Sequence, residues 1–321
     1  MQKNGFDTRL KGDKNTYKEL FMRSPQNPIL SAKNWPYPTN AVFNPAATMF
    51  HGKVLLLARV EDRRGFSHFT KAVSDDGVGN WQIDKVPTLE PDPENHPEEL
   101  WGIEDPRITW LSELGKWAIT YTAYSRGGPL VAMALTSDFI DFERLGPVMP
   151  AEDKDAALFS RRIYGKWALI HRSSSDDFVS WDARQVLMHA RRGGWWDGGK
   201  IGLAAPPIET AEGWILLYHG VRQTASGSIY RLGLALLDLD DPLKVLHRSD
   251  EWVFGPTASY EREGDVDDVV FPSGWVLNAE TGLLKMYYGG ADSCIALATA
   301  NIGDLLEYIK RCPEPLDEAL Y

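Results

Sequence analysis

Residues 115–124 read GKWAITYTAY, a glycine-led turn that runs into a stretch rich in β-branched and aromatic residues. A short apolar run bounded by a turn signal suits a strand buried on both faces. The fold is decided by the return of this phrase. GKVLLLARVE (52–61), GKWALIHRSS (165–174), GWILLYHGVR (213–222) and GLLKMYYGGAD (282–292) all open on Gly and continue as an apolar or aromatic strand. Four of the five follow another strand-like stretch that ends near a Gly-containing turn: NAVFNPAATMFHGK (40–53), EDPRITWLSELGK (104–116), DAALFSRRIYGK (155–166) and APPIETAEGW (205–214). Further strands come after, as in LVAMALTSD (130–138) and YRLGLALLDLD (230–240). A unit of three to four strands recurring at an irregular spacing of roughly 45 to 70 residues is the mark of a propeller. Two stacked sandwiches would not predict five returns of one Gly-turn-aromatic unit.

The expected architecture is therefore all-β: a five-bladed β-propeller over residues 41–321, preceded by an N-terminal extension over 1–40. Within the extension, NTYKELFMRS (15–24) reads as a short helix. The proline-punctuated SPQNPILSAKNWPYPTN (24–40) reads as a segment wrapping over something else. NIGDLLEYIKRC (301–312) carries apolar residues at helical spacing and predicts a short C-terminal helix. A propeller gathers comparable strands of successive blades around one funnel, so polar residues scattered along the chain acquire a common address.

Composition narrows the partners. Of 321 residues, 43% are hydrophobic, and no apolar run approaches the length of a bilayer-crossing helix, so the expectation is a soluble protein without a membrane partner. The formal charge of −11 argues against nucleic acid or anionic lipid, and any bound anion must sit in a local cationic pocket. The polar N-terminus shows no basic patch followed by an apolar stretch, and Cys294 and Cys312 are the only cysteines, too few for a disulfide framework. Both features predict a cytoplasmic protein with reduced thiols. Seven dispersed His residues form no metal motif, and nucleotide-loop and serine-hydrolase signatures are missing. Twelve Trp and twelve Tyr either fill a β core or supply flat faces for sugar rings.

WGIEDPRIT (101–109) places two acids, Glu104 and Asp105, side by side before a proline. Taken alone, Asp before Pro is a turn former. In the order FNPAA (43–47), RVEDRRGFSH (59–68), GIEDPRIT (102–109), KDAALF (154–159), HR (171–172), YHGV (218–221), YE (260–261), FPSGW (271–275) and YYGGAD (287–292), however, the chain resembles glycoside hydrolase family 130 over nearly its whole length. These are five-bladed propeller enzymes dominated by inverting β-mannoside phosphorylases.

The resemblance implies phosphorolysis of β-1,4- or β-1,2-linked mannosides, with inorganic phosphate as co-substrate and no cofactor or metal. It puts the general acid at Asp105 and the phosphate-binding residues at Lys154, Arg172 and His219. A planar fork, a compact ammonium and a titratable imidazole together suit phosphate. It puts the sugar contacts at Asn44, Arg59, Ser67, Glu104, Arg107, Asp155 and Asp292. Strand alternation would point Glu104 and Asp105 to opposite faces.

Two rivals remain. A hydrolase on the same fold needs a second carboxylate as base, for which Glu261, Asp267 and Asp268 are the candidates; a non-catalytic carbohydrate-binding propeller needs none. RRGGWWDGGKIG (191–202), with two consecutive Trp in a Gly-rich loop, is expected to be exposed and, with the N-terminal extension, to shape the acceptor site or a contact in a homo-oligomer.

Overall fold

The computed structural model describes residues 19–172, 178–179, 185–225 and 227–315. Its strands form five antiparallel sheets arranged as a β-propeller. Blade 1 comprises Ala41–Phe50, Lys53–Glu61, Ser67–Ser74 and Gln82–Ile83. Blade 2 comprises Ile103–Leu111, Lys116–Ser125, Gly128–Thr136 and Glu143–Pro147. Blade 3 is smaller, with Lys154–Leu158, Leu169–Arg172 and Phe178–Val179. Blade 4 comprises Lys200–Leu203, Gly213–Thr224, Gly227–Leu237 and Val245–Arg248, with Ile208–Thr210 also pairing with the second strand. In blade 5, Val270–Leu277, Leu283–Gly290 and Cys294–Asn301 are joined by Met22–Arg23 and Leu30–Ser31.

The five recurrent segments supply the second strand of each blade, and their near-continuous apolar character has a simple cause. Each lies between two neighbouring blades, so both faces are buried. Leu55 and Leu57 pack with Ile103, Ile119 and Tyr121 between blades 1 and 2, whereas Leu56 and Ala58 pack with Tyr287, Ile295 and Leu297 between blades 5 and 1. Comparable cores fill the spaces between blades 2 and 3, 3 and 4, and 4 and 5, which completes a ring.

The ring is closed by residues from the two ends of the described chain. Residues 19–24 are not helical as the sequence pattern suggests: Met22 and Arg23 pair as a strand with Thr299 and Ala298, a partner that lies far beyond any local pattern. Leu20 and Phe21 enter the core between blades 4 and 5. The expected C-terminal helix spans Ile302–Arg311, capped by the Asn301 side chain accepting from the Gly303 N–H, and it buries Leu305 and Ile309 in the same core. No helix among the described residues is long and apolar enough to cross a membrane.

Candidate active site

The innermost strands of blades 1, 2 and 3 each break register near their first residues, opposite the end of the second strand. The shifts fall between Phe43 and Ala46, Glu104 and Arg107, and Lys154 and Ala157. Inside each break one residue takes a left-handed backbone: Asn44 (φ 42), Asp105 (φ 49) and Asp155 (φ 60). Asn and Asp tolerate that conformation better than other residues with a Cβ, and a bulge re-aims the side chain away from simple alternation. Pro45 and Pro106 follow two of these residues, where an interrupted ladder makes no demand on the missing N–H.

The bulges bring residues of two blades into contact. Asn44 Nδ2 donates to Asp105 Oδ1 at 2.9 Å. Gly289 makes room for this pair, since a Cβ there would lie 2.0 Å from Asn44 Oδ1.

Arg59 organises the acids. Its Nη1 donates to Asp105 Oδ1 at 3.0 Å, its Nη2 lies 3.1 Å from Glu104 Oε1 and 3.7 Å from Glu61 Oε2, and its Nε donates to Ser67 Oγ at 2.9 Å. The guanidinium also lies 4.5 Å from the centroid of the Phe43 ring. The expectation that Glu104 and Asp105 point apart is thus corrected: the bulge delivers both to one guanidinium.

Electrostatics follow from this crowding. Burial pulls the Arg59 guanidinium down, but Asp105 and then Glu104 more than compensate and hold it above its ordinary value. Burial raises Glu104, against the pull of Arg59, and Asp105 adds to the rise. Burial, reinforced by Asp105, pushes Asp292 up to about 7. Carboxylates gathered in a desolvated pocket oppose one another's ionisation, so Glu104 and Asp292 are both pushed toward their protonated forms. Asp292, like Ala291, has a left-handed backbone (φ 49 and 45) in the turn that follows the second strand of blade 5.

Beneath this cluster Arg107 is only 1% exposed. Its Nη1 donates to the Asp105 carbonyl (3.0 Å), its Nε to the Ala204 carbonyl (2.7 Å), and its Nη2 to the Leu203 carbonyl (2.9 Å) and Asp155 Oδ1 (3.3 Å). Arg107 therefore ties blades 2, 3 and 4 together below the funnel mouth and supports Asp105 from behind. Asp155 Oδ2 lies 3.9 Å from His219 Nε2, and the imidazole packs against Phe271 at 5.1 Å between ring centroids. Gly202 permits this approach, because a Cβ there would come within 2.5 Å of His219 Cε1.

Lys154 is half-buried, its charge acts on Glu104, and it is the direct cross-strand partner of Arg172. The Arg172 side chain lies outside the described residues. Behind Lys154, the buried Asp153 Oδ2 and His171 Nδ1 approach to 2.5 Å.

The remaining acids are engaged elsewhere. Glu261 is fully buried and accepts from Arg23 Nε (2.7 Å) and Nη2 (2.9 Å), the N–H groups of Thr257 (2.7 Å) and Ala258 (3.0 Å), and the Tyr288 hydroxyl (2.7 Å). Burial alone would raise its carboxyl, yet Arg23 and the backbone donors hold it below its ordinary value. It is the latch of the N-terminal strand. Asp268 accepts from Arg262 Nε at 3.2 Å, and Asp267 from the Gly264 N–H at 3.2 Å. None of the three is bonded to the Arg59–Asp105 cluster.

The double-Trp loop meets the expectation of exposure at Trp195 and departs from it at Trp196. Trp196 is 7% exposed, stacks on Tyr218 at 5.6 Å and donates Nε1 to the Asp250 carbonyl, while Trp195 is partly exposed beneath the Arg191 guanidinium. Among the described residues no group of three or more His, Cys, Asp or Glu side chains could hold a metal ion. Sequence reasoning overlooked Glu61, Gly202 and Gly289; the Asn-Pro and Asp-Pro pairs at matching blade positions were a usable signal for the bulges.

Comparisons with known proteins agree with this architecture. A family model described as beta-1,4-mannooligosaccharide phosphorylase matches residues 16–311. The chain is 31% identical over 313 residues to a beta-1,4-mannooligosaccharide phosphorylase of Ruminococcus albus, covering 91% of this chain and 92% of that protein. It is 36% identical over 300 residues to a beta-1,2-mannobiose phosphorylase of Thermoanaerobacter, covering 86% and 95%. Among solved structures, the beta-1,2-mannobiose phosphorylase of Listeria innocua in complex with beta-1,2-mannobiose superposes with a TM-score of 0.81 at 28% identity, over 90% of this chain and 99% of that one.

Proposed function

The chain belongs to glycoside hydrolase family 130, and from that premise we propose that it is an inverting β-mannoside phosphorylase. Inorganic phosphate attacks the anomeric carbon of a nonreducing terminal β-mannosyl unit from the face opposite the leaving sugar. The bond from that carbon to the leaving oxygen breaks through an oxocarbenium-like transition state, and the products are α-mannose 1-phosphate and a shortened sugar. Asp105 supplies the proton to the leaving side. Asn44 and Arg59 both hold its Oδ1, which leaves Oδ2 to carry and deliver that proton.

Lys154, Arg172 and His219 receive the phosphate, and Arg59, Glu104 and Asp292 grip mannosyl hydroxyls. The reaction needs no cofactor beyond phosphate as co-substrate.

The carrying observation is the contrast between Asp105, held in the funnel by one oxygen, and Glu261, Asp267 and Asp268, which are bonded elsewhere. Water as nucleophile would require a second carboxylate as base, and the three that the sequence offers for that role are bonded outside the cluster. Relatives named for β-1,4- and for β-1,2-linked mannosides match comparably, so both linkages enter the test. The reading includes a cytoplasmic location, in keeping with the free thiols of Cys294 and Cys312, and a homo-oligomeric state, to be measured by light scattering.

The experiment is incubation with β-1,2- and β-1,4-mannosides, with and without inorganic phosphate. Phosphate-dependent α-mannose 1-phosphate is expected, and the cleaved member of the panel identifies the linkage. Free mannose released at a rate indifferent to phosphate would overturn the reading.

A further inference from the structure

The strand that carries Asp105 begins beside a pair of aromatic residues that the chemistry above does not use. Trp101 and Tyr124 meet edge to face, with ring centroids 5.3 Å apart, and Tyr124 remains 38% exposed. Phe66, 37% exposed, belongs to the neighbouring hairpin of blade 1. Single exposed aromatics are ordinary, but the location of this pair is not.

Backbone bonds fix the pair to the site. The Trp101 N–H donates to the Tyr124 carbonyl (2.8 Å), and the Tyr124 N–H to the Gly102 carbonyl (3.1 Å). Gly102, at φ 121, presses so closely on Ser67 that a Cβ would lie 2.8 Å from the Ser67 nitrogen; Ser67 in turn accepts from Arg59. The pair is thus one bridge away from the guanidinium that holds Asp105.

Register gives its direction. Glu104 faces Thr122 across the ladder, and residues two apart on a strand share a face, so Tyr124 continues the face of Glu104 and Thr122 one step toward the hairpin. On that face Thr120 Oγ1 donates to the Ala156 carbonyl in blade 3, the blade that carries Lys154.

We propose that Tyr124 and Trp101 form a stacking wall for the leaving-group sugar, the ring next to the mannosyl unit, and so set the preference for the acceptor in the reverse reaction. The inference rests on the phosphorylase reading of the same site. The sugar that departs beside Asp105 must extend outward from it, and outward along this face the first side chain is an exposed aromatic one. Pyranose rings present flat C–H faces, which pack on aromatic rings, while their hydroxyls stay at the edges for Glu104 and water.

The test measures synthesis from α-mannose 1-phosphate and an acceptor sugar with Tyr124→Ala, Trp101→Ala and Tyr124→Phe. Each Ala variant is expected to raise the KM for acceptor about tenfold while the KM for α-mannose 1-phosphate stays within about twofold, and Tyr124→Phe keeps wild-type behaviour. Equal losses for both substrates, an unchanged acceptor KM, or a change confined to oligomeric state would overturn the proposal. Should Trp101→Ala fail to fold, the partly exposed Tyr124 carries the test alone. If the wild-type protein proves not to be a phosphorylase, calorimetric binding still decides: Tyr124→Ala must weaken β-mannobiose about tenfold and leave mannose unaffected, and equal effects on the two sugars would refute the wall.

Discussion

Replacing Asp292 with Asn should make the protein more stable at alkaline pH while damaging its function. The Asp292 carboxyl is pushed from its ordinary 3.8 up to about 7 by burial and by Asp105. Its folded-state value therefore lies above its unfolded value. Between the two the native state holds the extra proton, so the contribution of this group to stability is full below the unfolded value and is lost as pH rises through about 7. A span of roughly 3 pH units at about 1.4 kcal/mol each caps the loss near 4 kcal/mol, and partial exposure to water reduces it to about 2–4 kcal/mol. Asn is nearly isosteric and cannot ionise. Urea denaturation of wild type and Asp292→Asn from pH 4.5 to pH 8.5 should give curves that nearly coincide at the acid end and diverge, with the variant more stable, toward pH 8. A difference that does not change across this range, or a variant less stable at pH 8, would refute the electrostatic account of the cluster.

Asp105→Asn should lower phosphorolysis by about a hundredfold to ten-thousandfold with little change in the unfolding curve; near-normal turnover would remove it as the acid. Glu261→Gln breaks a buried pair and should cost about 2–4 kcal/mol near neutral pH, read from the urea midpoint. Because the folded-state value of Glu261 is lowered, that contribution exists above its ordinary 4.5 and fades as pH falls below it, so wild type and variant should converge in acid. Gly289→Ala drives a Cβ into Asn44 Oδ1 and should reduce kcat/KM by about a hundredfold through displacement of Asp105; wild-type kinetics would show that Asn44 does not hold the acid.

The ring was legible from sequence because a strand buried on both faces is apolar along most of its length, and GKVLLLARVE or GWILLYHGVR therefore stand out without alignment. Local patterns failed where the partner was remote. Met22 and Arg23 carry no sign of a strand because their ladder is made with Thr299 and Ala298. Trp196 reads as exposed from its Gly-rich surroundings, yet Tyr218 supplies a ring on which it stacks. The two acids at 104 and 105 are assigned to opposite faces by a period of two, which holds only while the ladder is regular; the left-handed Asp105 ends that regularity. Asn44, Arg59, Ser67, Glu104, Asp105 and Asp292 gather as one cluster, whereas Glu61 could not be singled out, since a glutamate in a hairpin is ordinarily solvated.

The seam between Met22–Arg23 and Cys294–Asn301 also governs how the protein is made. The paired residues Met22 and Thr299 lie 277 positions apart. At about 5–20 residues per second, translation separates their appearance by on the order of 15 to 55 seconds. Blades 1 to 4 can stack as they leave the ribosome, but Arg23 waits through their synthesis without Glu261, and Phe21 without its core. The first strand of the described residues is thus the last to dock, and a nascent chain stalled in blade 5 would display an open seam.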